Sequence, residues 1–92
     1  MLTDVPAPDS RPSLAARAML RRDAVRGIDL VLLPERVITL NPTAHAIVTR
    51  CDGRRSVREI AGELERAYGR AGLEPSVARL LGRLGEQGAI RW

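Results

Sequence analysis

Only two residues, Pro34 and Glu35, separate two β-prone runs, Ile-Asp-Leu-Val-Leu-Leu at 28–33 and Arg-Val-Ile-Thr-Leu at 36–40. A link that short reverses the chain, so the two runs are expected to pair antiparallel. Gly27 and Pro34 bound the first run, as they would a buried strand. The second run is rich in good β-formers. Straight after it, Asn41-Pro42 reads as a helix start. Asn41 can cap the first free amides, and Pro42 loses nothing by lacking a donor at the first helical position.

Upstream, Arg17 to Arg22 alternates, with Ala18, Leu20 and Arg22 on one side and Arg17, Met19 and Arg21 on the other. This predicts a further strand with Asp23-Ala24 as its turn. Helix is the competing reading, because Ala, Leu, Met and Arg all favour it. Three strands in a meander leave at least one sheet edge open.

Helical signals fill the second half. Ala44, Ile47, Val48 and Cys51 recur at helical spacing, and Asp52-Gly53 closes that segment. Ser56-Val57-Arg58-Glu59 is a capping box that opens a second helix. Its apolar stripe is Val57, Ile60, Ala61, Leu64, Ala67 and Tyr68, and Gly69 ends it. Residues 70–74 are expected to form a loop. A third helix is predicted from Pro75-Ser76, with Val77, Leu80, Leu81 and Leu84 buried and Gly88 as its stop. Ala89 to Trp92 would add a short strand or pack back.

Strands followed by helices predict an α+β, winged-helix-like domain, a three-stranded antiparallel sheet followed by a three-helix bundle. At 92 residues one domain is expected. The chain has no Phe, one Tyr and one Trp, so Leu, Ile, Val and Ala must build the core. Residues 1–13 hold Pro6, Pro8 and Pro12 and are expected to be a flexible, extended arm, with the domain at 14–92. The net charge is +4, and all basic residues are Arg. They are mixed with eleven acids along the chain, so no basic block stands out. The single cysteine, Cys51, favours a reducing compartment. The longest apolar run, 30–33, is too short to span a membrane, and no signal peptide is visible. A cytoplasmic protein is expected.

Catalytic chemistry finds little support. His45 is the only histidine and lies off the apolar stripe, with no partner at a suggestive spacing. Cys51 faces the core and is expected to behave as a small hydrophobe. Glu59, Glu63 and Glu65 look like helix-surface charges beside Arg58 and Arg66, not an acid/base pair. Neither a cofactor nor a metal is expected.

Two binding modes compete. A helix-turn-helix would place the third helix in the major groove, presenting Arg79, Arg83 and Glu86. The six-residue stretch from Gly69 to Glu74 is longer than the motif's three- or four-residue turn, and Glu86 is acidic. The other mode adds a peptide as a strand to the edge formed by 36–40. Were the Ile38 amide to face that edge, proline at 38 would abolish binding. Gly82 and Gly85 in the third helix either admit close approach of another backbone or are a tolerated surface glycine and a fraying end. The sequence leaves both readings open.

Leu-Pro-Glu-Arg-Val-Ile-Thr-Leu-Asn at 33–41, Cys-Asp-Gly at 51–53, the capping box at 56–59, Ile60 and Leu64 together resemble the PqqD family. The resemblance covers about residues 12–90. It implies three strands packed on three helices. It also implies a peptide chaperone of pyrroloquinoline quinone biosynthesis, which binds the precursor peptide PqqA and delivers it to the radical-SAM enzyme PqqE. Nucleic acid and membrane are not implied partners, and either a monomer or a homodimer is compatible. The alternative is a recognition module for another ribosomally made peptide. The implied groove runs along the strand Arg36, Val37, Ile38, Thr39 and Leu40. Its helical wall draws on Val77, Arg79, Leu80, Arg83 and Leu84. Where family members often carry an aspartate and a bulky residue around the Val of the third helix, this chain has Ser76 and Ala78.

Overall fold

The structure, a computed structural model, describes residues 4–92. The three antiparallel strands are β2 (Met19–Asp23), β3 (Ile28–Leu33) and β4 (Arg36–Leu40), in that spatial order. The first of them starts and ends later than the alternation predicted. Asp23 explains the shift. Its carboxylate accepts from the amides of Val25 and Arg26, and Gly27 takes φ +69°, so the reversal occupies 24–27 instead of Asp23-Ala24.

Register sorts the side chains. Leu20, Val31 and Ile38 form one cross-strand row, and Arg22, Asp29 and Leu40 the next on the same face. Val31 is fully buried there, so this face packs on the helices. Met19, Leu32 and Val37 form a row on the opposite face, where Met19 and Val37 are exposed.

Helix α1 (Pro42–Val48) begins as expected, with Asn41 Oδ1 accepting from Ala44 N at 2.7 Å. It ends three residues before Cys51, in a turn that still buries that side chain. Helix α2 (Val57–Tyr68) carries the capping box and ends at Gly69 in the left-handed region. Its stripe is buried as far as Leu64, whereas Ala67 and Tyr68 are exposed. Helix α3 (Glu74–Glu86) starts a residue earlier than predicted and has no side-chain cap. Glu65, expected on a solvated face, instead accepts the amide of Leu73 at 2.9 Å and ties the loop to α2. The chain end forms β5 (Ile90–Arg91), which pairs antiparallel with a short β1 (Ser13–Leu14).

The segment expected to be a loose arm is bound to the domain from Pro8 onward. Arm carbonyls accept from the first amides of α2, Ser10 from Val57 at 2.9 Å and Pro8 from Arg58 at 3.0 Å. Pro12 accepts from Gly53 and is fully buried. The prolines suit this role. A proline offers a carbonyl but no donor, and a helix N-terminus needs only acceptors. The expectation for residues 1–3 lies outside the described residues.

The core is aliphatic, as the composition requires, with Val31, Val57, Ile60, Leu64 and Leu81 at its centre. Among the described residues, no helix is long and apolar enough to cross a membrane.

Candidate peptide-binding edge

Strand β4 is one of the two outer strands of its sheet, paired among the described residues only with β3. The pairing Leu33↔Arg36 flanks the two-residue turn, so that pair exchanges both backbone hydrogen bonds. The pattern then alternates. Arg36, Ile38 and Leu40 turn their amides to β3, while Val37 and Thr39 turn theirs to the open edge. The edge donors are therefore Val37 and Thr39, and the premise that Ile38 is one of them fails on register. Of the five strand residues, Leu40 is buried, Ile38 half-buried and the other three exposed.

A depression lies at each end of β4. Beyond Leu40, a cleft of about 260 Å³ is walled by Asn41, Val77, Leu80 and Arg83, with Ile47 and Leu64 among its apolar lining residues. Beside Arg36, a more open hollow of about 550 Å³ includes Leu33, Glu35, Gln87 and Gly88. Strand β4 therefore leads from hollow to cleft, and α3 leads from cleft to hollow. Their lengths agree. From 36 to 41 the strand climbs about 17 Å at ~3.4 Å per residue, and from 76 to 87 the helical path rises about 17 Å at ~1.5 Å per residue. A third depression, of about 330 Å³, beside Gly82, Gly85 and Trp92, includes no β4 residue.

The expected helical wall divides. Val77, Leu80 and Arg83 line the cleft, Val77 while also buried in the core. Leu84 is buried and serves the core, and Arg79 is exposed with its Nη2 3.3 Å from Ser76 Oγ. Neither lines the cleft. Tyr68, Arg70 and Leu73, which sequence reasoning missed, do line it. Tyr68 closes the apolar stripe of α2 in the sequence, and nothing local marks it as exposed.

Gly85 is a close-approach glycine, but its neighbour is the chain's own Trp92. The titratable candidates are engaged elsewhere. Asp29, 3.6 Å from His45 Nε2, is held by Arg22 through contacts of 2.9 and 3.0 Å. Burial, aided by the charge of Asp52, pushes the Cys51 thiol up to about 12, so it stays a protonated thiol at neutral pH. Glu63, expected as a surface charge beside Arg58 and Arg66, bridges Arg50 and Arg55, and Glu59 completes the cap of α2. No group of three or more His, Cys, Asp or Glu side chains that could hold a metal occurs among the described residues.

Known proteins are similar to this chain in sequence and fold. The family described as coenzyme PQQ synthesis protein D (PqqD) matches residues 29–90. A protein of Methylococcus capsulatus called PqqA binding protein is 34% identical over 84 residues, covering 91% of this chain and 90% of its own. One of the same name from Xanthomonas axonopodis pv. citri is 36% identical over 85 residues, covering 90% and 92%. The solution structure of the PqqD part of Methylobacterium extorquens PqqCD superposes with a TM-score of 0.81 at 29% identity, covering 98% and 97%. That protein is described as a functional, stand-alone recognition element for ribosomally synthesized, post-translationally modified peptides. Xanthomonas campestris PqqD gives a TM-score of 0.55 at 31% identity, covering 88% and 92%. With most of its length matched by both the family pattern and these relatives, the chain belongs to the PqqD family.

Proposed function

We propose that this chain is a carrier for the precursor peptide PqqA, holding it as an added strand on β4 and delivering it to the radical-SAM enzyme PqqE. One observation carries the reading. β4 is an open edge with two outward amides, Val37 and Thr39, with a hollow at its Arg36 end and, past its Leu40 end, a cleft walled by α3 residues. Main-chain bonds at such an edge supply affinity, and the hollows supply side-chain selectivity. The relatives named PqqA binding protein support the peptide's identity. Delivery is tethering. A carrier that binds peptide and enzyme together raises the local substrate concentration without chemistry of its own. The unpaired thiol suits a cytoplasmic site of action.

Backbone-amide NMR of the full chain, titrated with synthetic PqqA, tests the reading. Shifts at Val37, Thr39 and along 76–83 are expected. No shifts with PqqA would reject it, and the same sample titrated with duplex DNA would then examine the winged-helix alternative through its steep salt dependence.

A further inference from the structure

The cleft beyond Leu40 gathers positive charge with no acid to offset it. Other arginines of the protein do meet carboxylates, Arg22 with Asp29, Arg58 with Asp9, and Arg50 and Arg55 with Glu63. The cleft is lined by two arginines, Arg70 and Arg83, and by no carboxylate. Neither arginine has an ion-pair partner among the described residues. Glu65, the acid nearest in sequence on α2, is occupied by the Leu73 amide. Ser76 and Val77 bring the first turn of α3 to the same cleft, and the positive end of that helix adds to the field.

The lining between the two arginines is apolar. Ile47, Leu64 and Val77 are buried, and Leu80 is half-buried. Tyr68 stands exposed at the same cleft. An apolar pocket ringed by unneutralised guanidinium groups fits one kind of occupant, an aliphatic or aromatic side chain with a carboxylate close by along an extended chain. Guanidinium groups suit that carboxylate because their donors match its two oxygens. Asn41, which follows β4 directly, also lines the cleft, so a strand added along Val37 and Thr39 runs toward it.

We propose that this cleft is the specificity subsite of the carrier, in which an apolar residue of the bound peptide is seated and an adjacent carboxylate is read by Arg70 and Arg83. The inference rests on the peptide-carrier reading. It adds that the two arginines select for an acidic-apolar segment, and that Arg79, on the same helix but outside the cleft, does not.

Fluorescence anisotropy of labelled synthetic PqqA with the full chain tests it. The protein variants are Arg70→Gln/Arg83→Gln together and Arg79→Gln as control. The peptide variants replace each Asp or Glu singly by its amide. All three arginines are exposed, so these variants are expected to keep the wild-type amide spectrum. The double variant is expected to bind roughly tenfold more weakly, as for loss of a charged hydrogen bond, with Arg79→Gln unchanged. One amide peptide is expected to lose the same factor against the wild type and nothing further against the double variant. Wild-type affinity in the double variant, or losses that simply multiply for every amide peptide, would overturn the subsite and leave the carrier reading standing. Failure of the wild type to bind PqqA at all would overturn both. The peptide arm stays decisive should a protein variant misfold.

Discussion

The indole of Trp92 lies over Gly85 so closely that a Cβ at position 85 would stand 2.7 Å from two ring carbons. Gly85 sits in the last turn of α3, and the ring it receives comes from the end of the chain, just past β5. A single missing methyl thus lets the C-terminus pack on the helix.

Gly85→Ala sets two effects against each other. Alanine gains about 1 kcal/mol over glycine in a helix interior, less near an end. Against this, the collision forces out a ring that is already 45% exposed, and its contacts are lost. Overall stability is therefore expected to change by less than about 1 kcal/mol, while the ring moves into water. Trp92 is the only tryptophan, so its emission reports this event alone. A red shift with a nearly unchanged urea midpoint is expected. An unshifted spectrum would mean that the ring is not held on Gly85 in solution.

The arm offers a second test. The amides of Val57 and Arg58 are donors that no helical carbonyl can reach, and they are satisfied by Ser10 and Pro8. Deleting residues 1–10, which spares Arg11, should cost about 1–3 kcal/mol, from two lost backbone bonds and a less well-held Pro12. Arg58→Ala removes only the exposed ion pair with Asp9 and should cost no more than about 0.5 kcal/mol. Urea denaturation of the two variants separates the backbone contribution from the side-chain one. Equal small losses would show that the arm does not cap α2 in solution.

How visible these features were in the sequence depended on the range of the contact. Asn41-Pro42 and Ser56 to Glu59 announced their helices because cap and capped amide lie three residues apart. The hairpin announced itself through a two-residue turn. Ser10 gave no sign of its bond to Val57, because the partners are 47 positions apart and backbone atoms carry no residue-type signal. Gly85 was noticed as an anomaly, but its partner, Trp92, arrives through the β1–β5 pairing, which two-residue strands do not reveal. Residues 36–40 were read correctly as a strand of the sheet, but which of its amides point outward was not. Which amides face outward depends on ladder parity, and parity is settled only by the pairing of Leu33 with Arg36. Arg70 and Leu73 were read as loop, since nothing local shows that α3 folds back to meet them.

The carboxylates around the α1–α2 junction give a pH dependence. The hydrogen bond from Arg55, and then that from Arg50, hold Glu63 below its ordinary value of 4.5. Asp52 is lowered by the backbone amides of Arg55 and Arg54, and Glu59 by that of Ser56. A carboxyl whose folded value is depressed binds protons more readily when unfolded. Its stabilisation is complete above the unfolded value and is lost as pH falls through the folded one. Stability should thus be flat near neutrality and fall progressively below about pH 5. Glu63→Gln should be less stable than wild type at pH 7 and should fall less steeply, so the two denaturation midpoints converge at pH 3. Parallel curves would mean that Glu63 is not engaged by the two arginines in solution.

The open edge makes the sharpest distinction between neighbouring residues. Proline at Val37 deletes an outward donor and spares the ladder, which is where edge strands tolerate it. Proline at Ile38 deletes a bond to Val31 and disturbs a row that is fully buried at its centre. Val37→Pro is therefore expected to keep a wild-type circular dichroism spectrum and lose less than about 1 kcal/mol of stability, yet weaken PqqA binding roughly tenfold, as one main-chain bond would. Ile38→Pro is expected to lose several kcal/mol and fold poorly, from the broken ladder bond and the disrupted packing beside Val31. The two variants differ by one position in sequence and by a half-turn in the direction of the amide. If Val37→Pro bound PqqA as tightly as wild type while folded, strand addition at β4 would be excluded as the mode of recognition, whatever the peptide's affinity for the rest of the surface.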